Sequence, residues 1–194
     1  MFYWIAYVFL KLLSKIFFPC RYEGLEHLPK KGSYLVASNH VSNLDPIILG
    51  LSVWRKFSYI AKESLFKKKL FRFIMHQVGA FPIKRDSSDF RAIREAFKRL
   101  KRGCPVILFP EGTRQGKNAS RRALPGVGLI AVKSQLPVIP VFIRGSDQVL
   151  PPGKRVLKRH PVTVSFGKPL HFSKDQSYPD ISRLIMENIY SLSL

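Results

Sequence analysis

The chain has 194 residues, 46% of them hydrophobic, which is enough to bury the core of one domain. Thirty-three Lys and Arg against twelve Asp and Glu give a formal net charge of +21, which favours a polyanionic partner such as nucleic acid, an anionic membrane, or an acidic protein or ligand. The two cysteines, Cys20 and Cys104, lie far apart and in no metal-binding pattern, which argues against a disulfide framework or a zinc site and is typical of a reducing compartment.

The first predicted element is a helix over MFYWIAYVFLKLLSKIFF, which ends at Pro19. At 1.5 Å per residue this helix would reach about 27 Å, barely a membrane span, and it lacks the features of a signal peptide. Lys11 and Lys15 share one side of the helix with Tyr7 and Ser14. The opposite side carries the large apolar residues Trp4, Ile5, Val8, Phe9, Leu12, Leu13 and Ile16. This pattern predicts a helix that lies in the membrane interface; the alternative is packing on the protein's own core.

Strands and helices alternate through the rest of the chain. The predicted strands are Tyr34–Ser38, Phe57–Ala61, Ala80–Ile83, Pro105–Phe109, Val138–Ile143 with an interruption at Pro140, and Val162–Phe166. The predicted helices run from Asp45 to about Trp54, and over Glu63–Gln77, Ser88–Lys101, Gly126–Ser134 and Asp180–Leu192. Such alternation predicts an α/β fold, and we expect a central mixed β-sheet flanked by helices. We also expect two parts, a membrane-interface helix at residues 1–19 and one domain at 20–194.

The stretch ASNHVSNLDP, from Ala37 to Pro46, places His40 and Asp45 in the polar gap between a predicted strand and a predicted helix. A histidine at the end of a buried strand lies at the sheet rim, where α/β folds usually place their sites. A nearby carboxylate would hold the ring and stabilise the imidazolium that forms when it deprotonates a hydroxyl. Asp45 before Pro46 also has the pattern of a helix N-cap, so the stretch alone leaves a catalytic base and a cap open. Ser42 lacks the context of an activated nucleophile.

A second polar stretch, FPEGTR from Phe109 to Arg114, follows the apolar strand VILF. Gly112 permits a turn and a close approach of the backbone to a ligand. Arg114 offers donors suited to phosphate, and Glu111 would either hold that guanidinium or accept from a substrate hydroxyl. The alternative is a strand-ending turn with a surface ion pair.

Two further stretches are less specific by themselves. In GAFPIKR, Lys84 and Arg85 follow a short apolar strand, where they would meet a phosphate or form a solvated basic turn. In LPVIPV, from Leu136 to Val141, two prolines stiffen an extended segment that would shape a pocket wall.

Taken in order, these stretches resemble the four sequence blocks of the glycerolipid acyltransferases. NHVSNLD is similar to the N-H-x4-D block, and GAFPIKR, FPEGTR and LPVIPV resemble the second, third and fourth blocks. The resemblance covers most of the chain, and it is greatest to the bacterial 1-acyl-sn-glycerol-3-phosphate acyltransferases.

The resemblance implies transfer of a fatty acyl group from a thioester of acyl-carrier protein or coenzyme A to the sn-2 hydroxyl of 1-acyl-sn-glycerol-3-phosphate, which gives phosphatidic acid. It implies that His40 is the general base and Asp45 its partner. The positions that correspond to acceptor binding are Arg85, Glu111, Gly112, Thr113 and Arg114. Lys62, in YIAKESLF, aligns with a lysine often present in such enzymes, and it would stabilise the oxyanion together with backbone N–H groups near Gly112. No metal or cofactor is expected.

Two departures from the family pattern leave the preference for acceptor and acyl chain open. Gln115 stands where Ser is common, and ASRRALPG, residues 119–126, replaces a more usual Phe-Lys-x-Gly. The alternative acceptor is glycerol-3-phosphate or another lysolipid, such as a lyso-ornithine lipid.

A different class of function is a basic module that binds a membrane surface or nucleic acid without catalysis. The chain has no zinc-finger or RNA-recognition aromatic motif, so we do not expect nucleic acid as a partner. We expect a monotopic enzyme on the cytoplasmic face of the cell membrane, in contact with anionic lipids.

Overall fold

The computed structural model describes residues 2–83, 90–114, 123–154 and 156–193. The strands are β1 (Cys20–Glu23), β2 (Leu35–Ser38), β3 (Ser58–Lys62), β4 (Ala80–Ile83), β5 (Val106–Leu108), β6 (Val138–Arg144) and β7 (Val162–Phe166). The α-helices are α1 (Phe2–Phe17), α2 (Asp45–Gly50), α3 (Lys69–Gln77), α4 (Phe90–Lys101), α5 (Pro125–Ser134), α6 (Ser146–Val149) and α7 (Tyr178–Ser191), and 3₁₀ turns lie at Leu25–His27 and Glu63–Phe66.

The strands form one sheet in the order β1-β7-β6-β2-β5-β3-β4. Neighbouring strands run parallel except β6 and β7, which are antiparallel. Parallel strands covered on both faces read as continuous apolar runs, and the central strands β2 and β5 are buried at every residue. The predicted α/β fold with a central mixed sheet is therefore confirmed.

Two hydrophobic cores lie on opposite faces of this sheet. Successive residues of a strand point to opposite faces, so Val36 of β2 joins one core while Leu35 and Ala37 join the other. Side chains of α1 and α2 cover the first face, and those of α4, α5 and α7 cover the second. This arrangement leaves the carboxyl ends of the parallel strands free to carry polar loops.

Several predicted element boundaries differ from the observed ones. The helix predicted to run from Asp45 to about Trp54 ends at Gly50, because the backbone beyond it turns to meet α1: the Leu51 carbonyl accepts hydrogen bonds from Lys11 and Tyr7. The helix predicted over residues 63–77 is divided into a 3₁₀ turn and α3. The edge strand β1 and the short helix α6 were not predicted.

The predicted interruption at Pro140 is wrong, since β6 continues to Arg144. The Pro140 carbonyl accepts from the Gly167 N–H at 2.8 Å, so the proline nitrogen faces the same side of the strand. Pairing with β7 begins only at Val141 and Phe166. The proline nitrogen therefore faces β7 at a position before the β6–β7 pairing begins, where no backbone hydrogen bond from an N–H of β6 is needed.

Helix α1 packs on the sheet with most of the side that the sequence marks as polar, whereas Lys15 of that side is exposed. Tyr7 and Ser14 are buried, and Lys11 donates to the Leu51 carbonyl at 2.7 Å and lies over the ring of Tyr22. The large apolar side chains that point away from the protein are Ile5, Val8, Phe9, Leu12 and Ile16, exposed by 45 to 62%. Lys11 therefore does not line a solvated polar stripe. Across the residues that the structure describes, every helix falls short of the length and apolar character that a membrane crossing needs.

Candidate active site

His40 and Asp45 meet at the carboxyl edge of the sheet, in the loop that joins β2 to α2. His40 Nδ1 and Asp45 Oδ2 are 2.8 Å apart. The Asp45 side chain is fully buried, whereas a tenth of the His40 side chain remains exposed. Because an ionised carboxylate only accepts hydrogen bonds, Nδ1 carries the ring proton and Nε2 is left as the basic nitrogen. Among the described residues, Nε2 has no hydrogen-bond partner.

The Asp45 carboxylate is held by further donors on both oxygens. Oδ2 accepts the N–H groups of Val41 and Ser42, each at 2.8 Å. Oδ1 accepts the Ser146 hydroxyl at 2.5 Å. Asp45 is the first residue inside α2 rather than its N-cap, which is Leu44, and no side chain caps the helix. The capping interpretation is therefore wrong, because the carboxylate bonds to amides that precede the helix.

Two neighbouring polar side chains fix the loop in place. The Ser42 hydroxyl is buried and donates to the Leu150 carbonyl at 3.0 Å, which gives it a structural role. The Asn39 amide accepts from the Ile143 N–H at 2.7 Å and donates to the Ile143 carbonyl at 2.9 Å. Asn39 therefore pairs with β6 much as a strand residue would, and it continues the β2–β6 contact to the edge of the site.

The FPEGTR stretch packs against the His40 ring and backbone. The ring of Phe109 stacks on the imidazole, with centroids 4.2 Å apart and an interplanar angle of 24°. Glu111 Oε2 accepts the His40 N–H at 3.2 Å, and Oε1 accepts the Tyr190 hydroxyl at 2.7 Å. Burial raises the pKa of Glu111, and the hydrogen bonds from Tyr190 and from the His40 N–H oppose that rise. Glu111 thus joins the histidine backbone to α7, and its predicted contact with the acceptor stays a prediction.

Gly112 forms the turn that ends this stretch. Its φ is +70°, its N–H donates to the Phe109 carbonyl at 2.9 Å, and a Cβ there would lie 2.3 Å from a methyl of Leu124. Because this N–H is already engaged, its use as an oxyanion donor would require the turn to open. Thr113 and Arg114 follow with exposed side chains. Their contacts with the acceptor stay predictions.

Of the two other predicted site residues, one lies outside the described residues and the other is described by its backbone alone. Arg85, with Lys84, lies outside the described residues. Lys62 is the last residue of β3, so its backbone lies at the same edge of the sheet as the end of β2, and its side chain is not among those described. Within the described ranges, no group of three or more His, Cys, Asp or Glu side chains is placed to hold a metal ion. A metal-independent reaction stays a prediction.

An apolar cavity of about 180 Å³ lies between α1, α2, α3 and β3. Its lining includes Tyr7, Pro46, Gly50, Tyr59 and Met75. Because the residue that follows the buried aspartate is part of this lining, the cavity adjoins the loop that carries the histidine and the carboxylate.

Two polar residues that complete the site have no signal in the sequence pattern. Ser146 is 101 positions from Asp45, and Tyr190 is 79 positions from Glu111. Local spacing cannot report contacts of this kind, because they arise only when α6 packs beside Asp45 and α7 packs beside Glu111.

A model of the family described as Acyltransferase matches residues 19–144 of this chain. The chain belongs to this acyltransferase family. The resemblance drawn from the four sequence blocks is therefore confirmed, and the buried His40–Asp45 pair is the structural form of the H-x4-D block in this chain.

Two relatives with an assigned activity agree with the family match. The chain is 33% identical over 162 residues to a chloroplastic 1-acyl-sn-glycerol-3-phosphate acyltransferase of Arabidopsis thaliana, with 81% of this chain and 45% of that protein covered. It is 29% identical over 160 residues to the 1-acyl-sn-glycerol-3-phosphate acyltransferase of Bacillus subtilis (strain 168), with 82% and 77% covered.

The fold is also similar to the crystal structure of the 1-acyl-sn-glycerophosphate acyltransferase PlsC from Thermotoga maritima. The TM-score is 0.70 at 27% identity, with 97% of this chain and 81% of that chain covered. The chain spans about half the length of the plant relatives that it matches.

Proposed function

We propose that this chain transfers a fatty acyl group from a thioester to the sn-2 hydroxyl of 1-acyl-sn-glycerol-3-phosphate and so forms phosphatidic acid for phospholipid synthesis. The observation that carries this proposal is the 2.8 Å contact between His40 Nδ1 and the buried carboxylate of Asp45, which leaves Nε2 as a base at the sheet edge. The names of the relatives support this acceptor. A basic module without catalysis would have no need of such a pair.

The reaction follows from this geometry. Nε2 of His40 takes the proton of the acceptor hydroxyl while the oxygen attacks the thioester carbonyl carbon, and Asp45 stabilises the imidazolium. A tetrahedral oxyanion forms and collapses, the C–S bond breaks, and the leaving thiolate takes the proton from the imidazolium. Transfer is direct, because the nearby Ser42 hydroxyl is buried and donates to the Leu150 carbonyl.

The acceptor phosphate is proposed to pair with the guanidinium groups of Arg114 and Arg85, with Lys62 near the oxyanion. Arg114 is exposed and lies three residues after Glu111, which contacts the His40 backbone. Arg114→Ala is expected to raise the KM for the acceptor about tenfold or more with little change in kcat, since it removes a charge-assisted contact. An unchanged acceptor KM would remove Arg114 from the phosphate site.

The apolar cavity between α1, α2 and α3 is the proposed binding place for a fatty chain. Its lining is made of apolar and tyrosine side chains, and it lies beside the loop where the thioester must react. The acyl donor, a thioester of acyl-carrier protein or of coenzyme A, would place its chain there.

The exposed side of α1 is the proposed contact with the membrane. Phe9 and Leu12 are each 59% exposed, and Trp54 stacks on Trp4 of α1 while 62% of its surface stays exposed. Apolar and aromatic groups of this kind enter the interface of one leaflet. Monotopic association on the cytoplasmic face would bring His40 to acceptors that reside in an anionic bilayer.

A panel of acceptors with one donor at a time tests the function. The wild-type chain is mixed with lysophosphatidate, glycerol-3-phosphate or a lyso-ornithine lipid in vesicles, and with acyl-carrier-protein or coenzyme A thioesters. Free-thiol release and product mass are then measured. We expect phosphatidic acid from lysophosphatidate, and a loss of at least a hundredfold in kcat for His40→Ala and Asp45→Asn with folding intact.

Near-normal turnover in either variant would contradict the base assignment. A faster reaction with glycerol-3-phosphate or with the lyso-ornithine lipid would instead reassign the acceptor and leave the base unaffected.

A further inference from the structure

The loop that carries His40 and Asp45, residues 39–45, is joined to a single segment at three points. This segment, residues 143–150, contains the end of β6 and the helix α6. The three contacts are Asn39 with Ile143, Ser42 with Leu150, and Asp45 with Ser146. Only the last of these reaches a group that itself contacts the catalytic imidazole.

The two oxygens of Asp45 are held from different parts of the chain. All three donors to Oδ2 come from the same loop: His40 Nδ1–H and the N–H groups of Val41 and Ser42. The torsion about the Cβ–Cγ bond of an aspartate is soft, so donors on one oxygen leave the carboxylate plane loosely set. Ser146 donates to the other oxygen at 2.5 Å, which fixes that plane.

The position of Ser146 is built into the turn after β6. Gly145 has a φ of +91°, and a Cβ on it would lie 2.5 Å from the Pro161 carbonyl oxygen, so glycine is required there. This turn brings the Ser146 hydroxyl into contact with Asp45, and the Ser146 side chain is fully buried there. Asp45 is buried as completely, so bulk water cannot readily replace a lost hydroxyl.

We propose that Ser146 is a positioning residue for acyl transfer. Its hydroxyl holds the Asp45 carboxylate in the orientation in which Oδ2 accepts the proton on His40 Nδ1, and it contacts no substrate. This inference rests on the proposed function, in which His40 is the general base. Without the hydroxyl, Oδ1 is a buried, charged acceptor with no donor, and the carboxylate turns away from its contact with the ring.

Steady-state kinetics of Ser146→Ala test the inference. We expect kcat to fall about tenfold or more while the KM values for acceptor and donor stay within twofold, because the variant changes the base and not the binding surfaces. Ser146→Cys, which keeps the shape but donates weakly, should lie between alanine and wild type.

Ser182→Ala is the matched control, since it removes another buried serine hydroxyl. That hydroxyl accepts the Gly128 N–H at 3.0 Å between α5 and α7. The control is expected to lose thermal stability and keep its kcat. An unchanged kcat in Ser146→Ala, or an equal fall of kcat in both alanine variants, would overturn the inference.

A second measurement does not depend on turnover. The proton on the His40 ring that bonds to Asp45 should give a downfield NMR signal in wild type and in Ser182→Ala, and this signal should shift or broaden in Ser146→Ala. A signal at the wild-type position in folded Ser146→Ala would overturn the inference even if the chain proved inactive. An inactive wild type whose signal moves in Ser146→Ala would instead refute the proposed function and leave the positioning contact in place.

Discussion

At the scale of single residues, the proposed chemistry depends on which nitrogen of His40 carries the proton. The Asp45 carboxylate fixes that proton on Nδ1, and Phe109 holds the ring by stacking. Glu111 adds a contact to the His40 backbone rather than to the ring. The imidazole therefore has one orientation, with its basic nitrogen directed away from the groups that hold it.

Glu111 gives a prediction about pH and stability. Burial raises its pKa above the ordinary value of a glutamate, so the folded chain binds this proton more tightly than the unfolded chain does. The contribution to stability is complete below the unfolded pKa and is lost as pH rises through the higher folded pKa. Glu111→Gln cannot ionise and should therefore gain thermal stability relative to wild type as pH rises through this range.

Thermal melts of both proteins from acid to neutral pH measure this difference in melting temperature. The comparison cancels the other carboxylates, which both proteins share. A difference that stays constant, or that falls as pH rises, would contradict a raised pKa for Glu111.

The residues of the H-x4-D and FPEGTR stretches were identifiable from sequence because they lie close together along the chain. The residues that hydrogen-bond to them were not identifiable in this way. The contact of Asp45 with Ser146 and that of Glu111 with Tyr190 depend on packing between distant elements. The same limit explains the capping error, since the pattern before Pro46 fits a cap equally well until the direction of the Asp45 carboxylate is known.

At the scale of elements, α1 has an unusual division between its sides. A helix on a protein surface normally buries its apolar side, whereas α1 buries the side with Tyr7, Lys11 and Ser14. Periodicity separated most residues of the two sides, although Lys15 is exposed and Trp4 packs against the core. It could not tell which side meets the protein. Tertiary contacts decided this, since Lys11 and Tyr7 reach the Leu51 carbonyl.

The outward side of α1 predicts how the chain binds lipid. A double variant, Phe9→Gln with Leu12→Gln, removes two large exposed apolar groups without altering charge. Burial of one such side chain contributes roughly 1.5–3 kcal/mol, so affinity for vesicles should fall about tenfold or more. Co-sedimentation with phosphatidylcholine–phosphatidylglycerol vesicles measures this.

Leu184→Gln is the matched control, because it replaces a leucine of α7 that is also exposed, by 41%. We expect this control to bind as wild type does. Equal binding by the double variant would show that another surface anchors the chain. Point variants are a sharper test than deletion of α1, since Tyr7 belongs to the hydrophobic core.

The cavity between α1, α2 and α3 predicts a change in acyl-chain preference. Gly50, the last residue of α2, lines this cavity, and a Cβ added to it meets no atom within 4 Å. Gly50→Leu should therefore fit without a clash and occupy space that a long chain needs. The ratio of turnover with a palmitoyl thioester to that with a decanoyl thioester is expected to fall severalfold.

Leu184→Phe provides the control, since it enlarges an exposed side chain of α7, which covers the other face of the sheet. Its chain-length ratio should equal that of wild type. If Gly50→Leu left the ratio unchanged, the cavity would not be the place where the fatty chain binds.

At the scale of the whole molecule, the sheet order explains why the site forms where it does. The central strands β2 and β5 lie side by side, and their carboxyl ends carry the H-x4-D and FPEGTR stretches. The α/β class was predictable because apolar strands alternate with helical patterns. The strand order was not predictable, because the edge strand β1 has no buried residue and therefore shows no apolar run in the sequence.

The net charge of +21 predicts that membrane binding has two separable parts. Attraction of basic residues to an anionic leaflet contributes about 1 kcal/mol for each residue near the surface, and salt screens it over a Debye length of about 10 Å at 0.1 M. Insertion of the apolar side of α1 is insensitive to screening. Binding to vesicles rich in phosphatidylglycerol should therefore weaken steeply between 0.05 and about 0.5 M NaCl and then level off above zero. The double variant of Phe9 and Leu12 should lose this residual part and keep the salt-sensitive one, whereas residual binding that survives in that variant would assign the apolar contact to a different element.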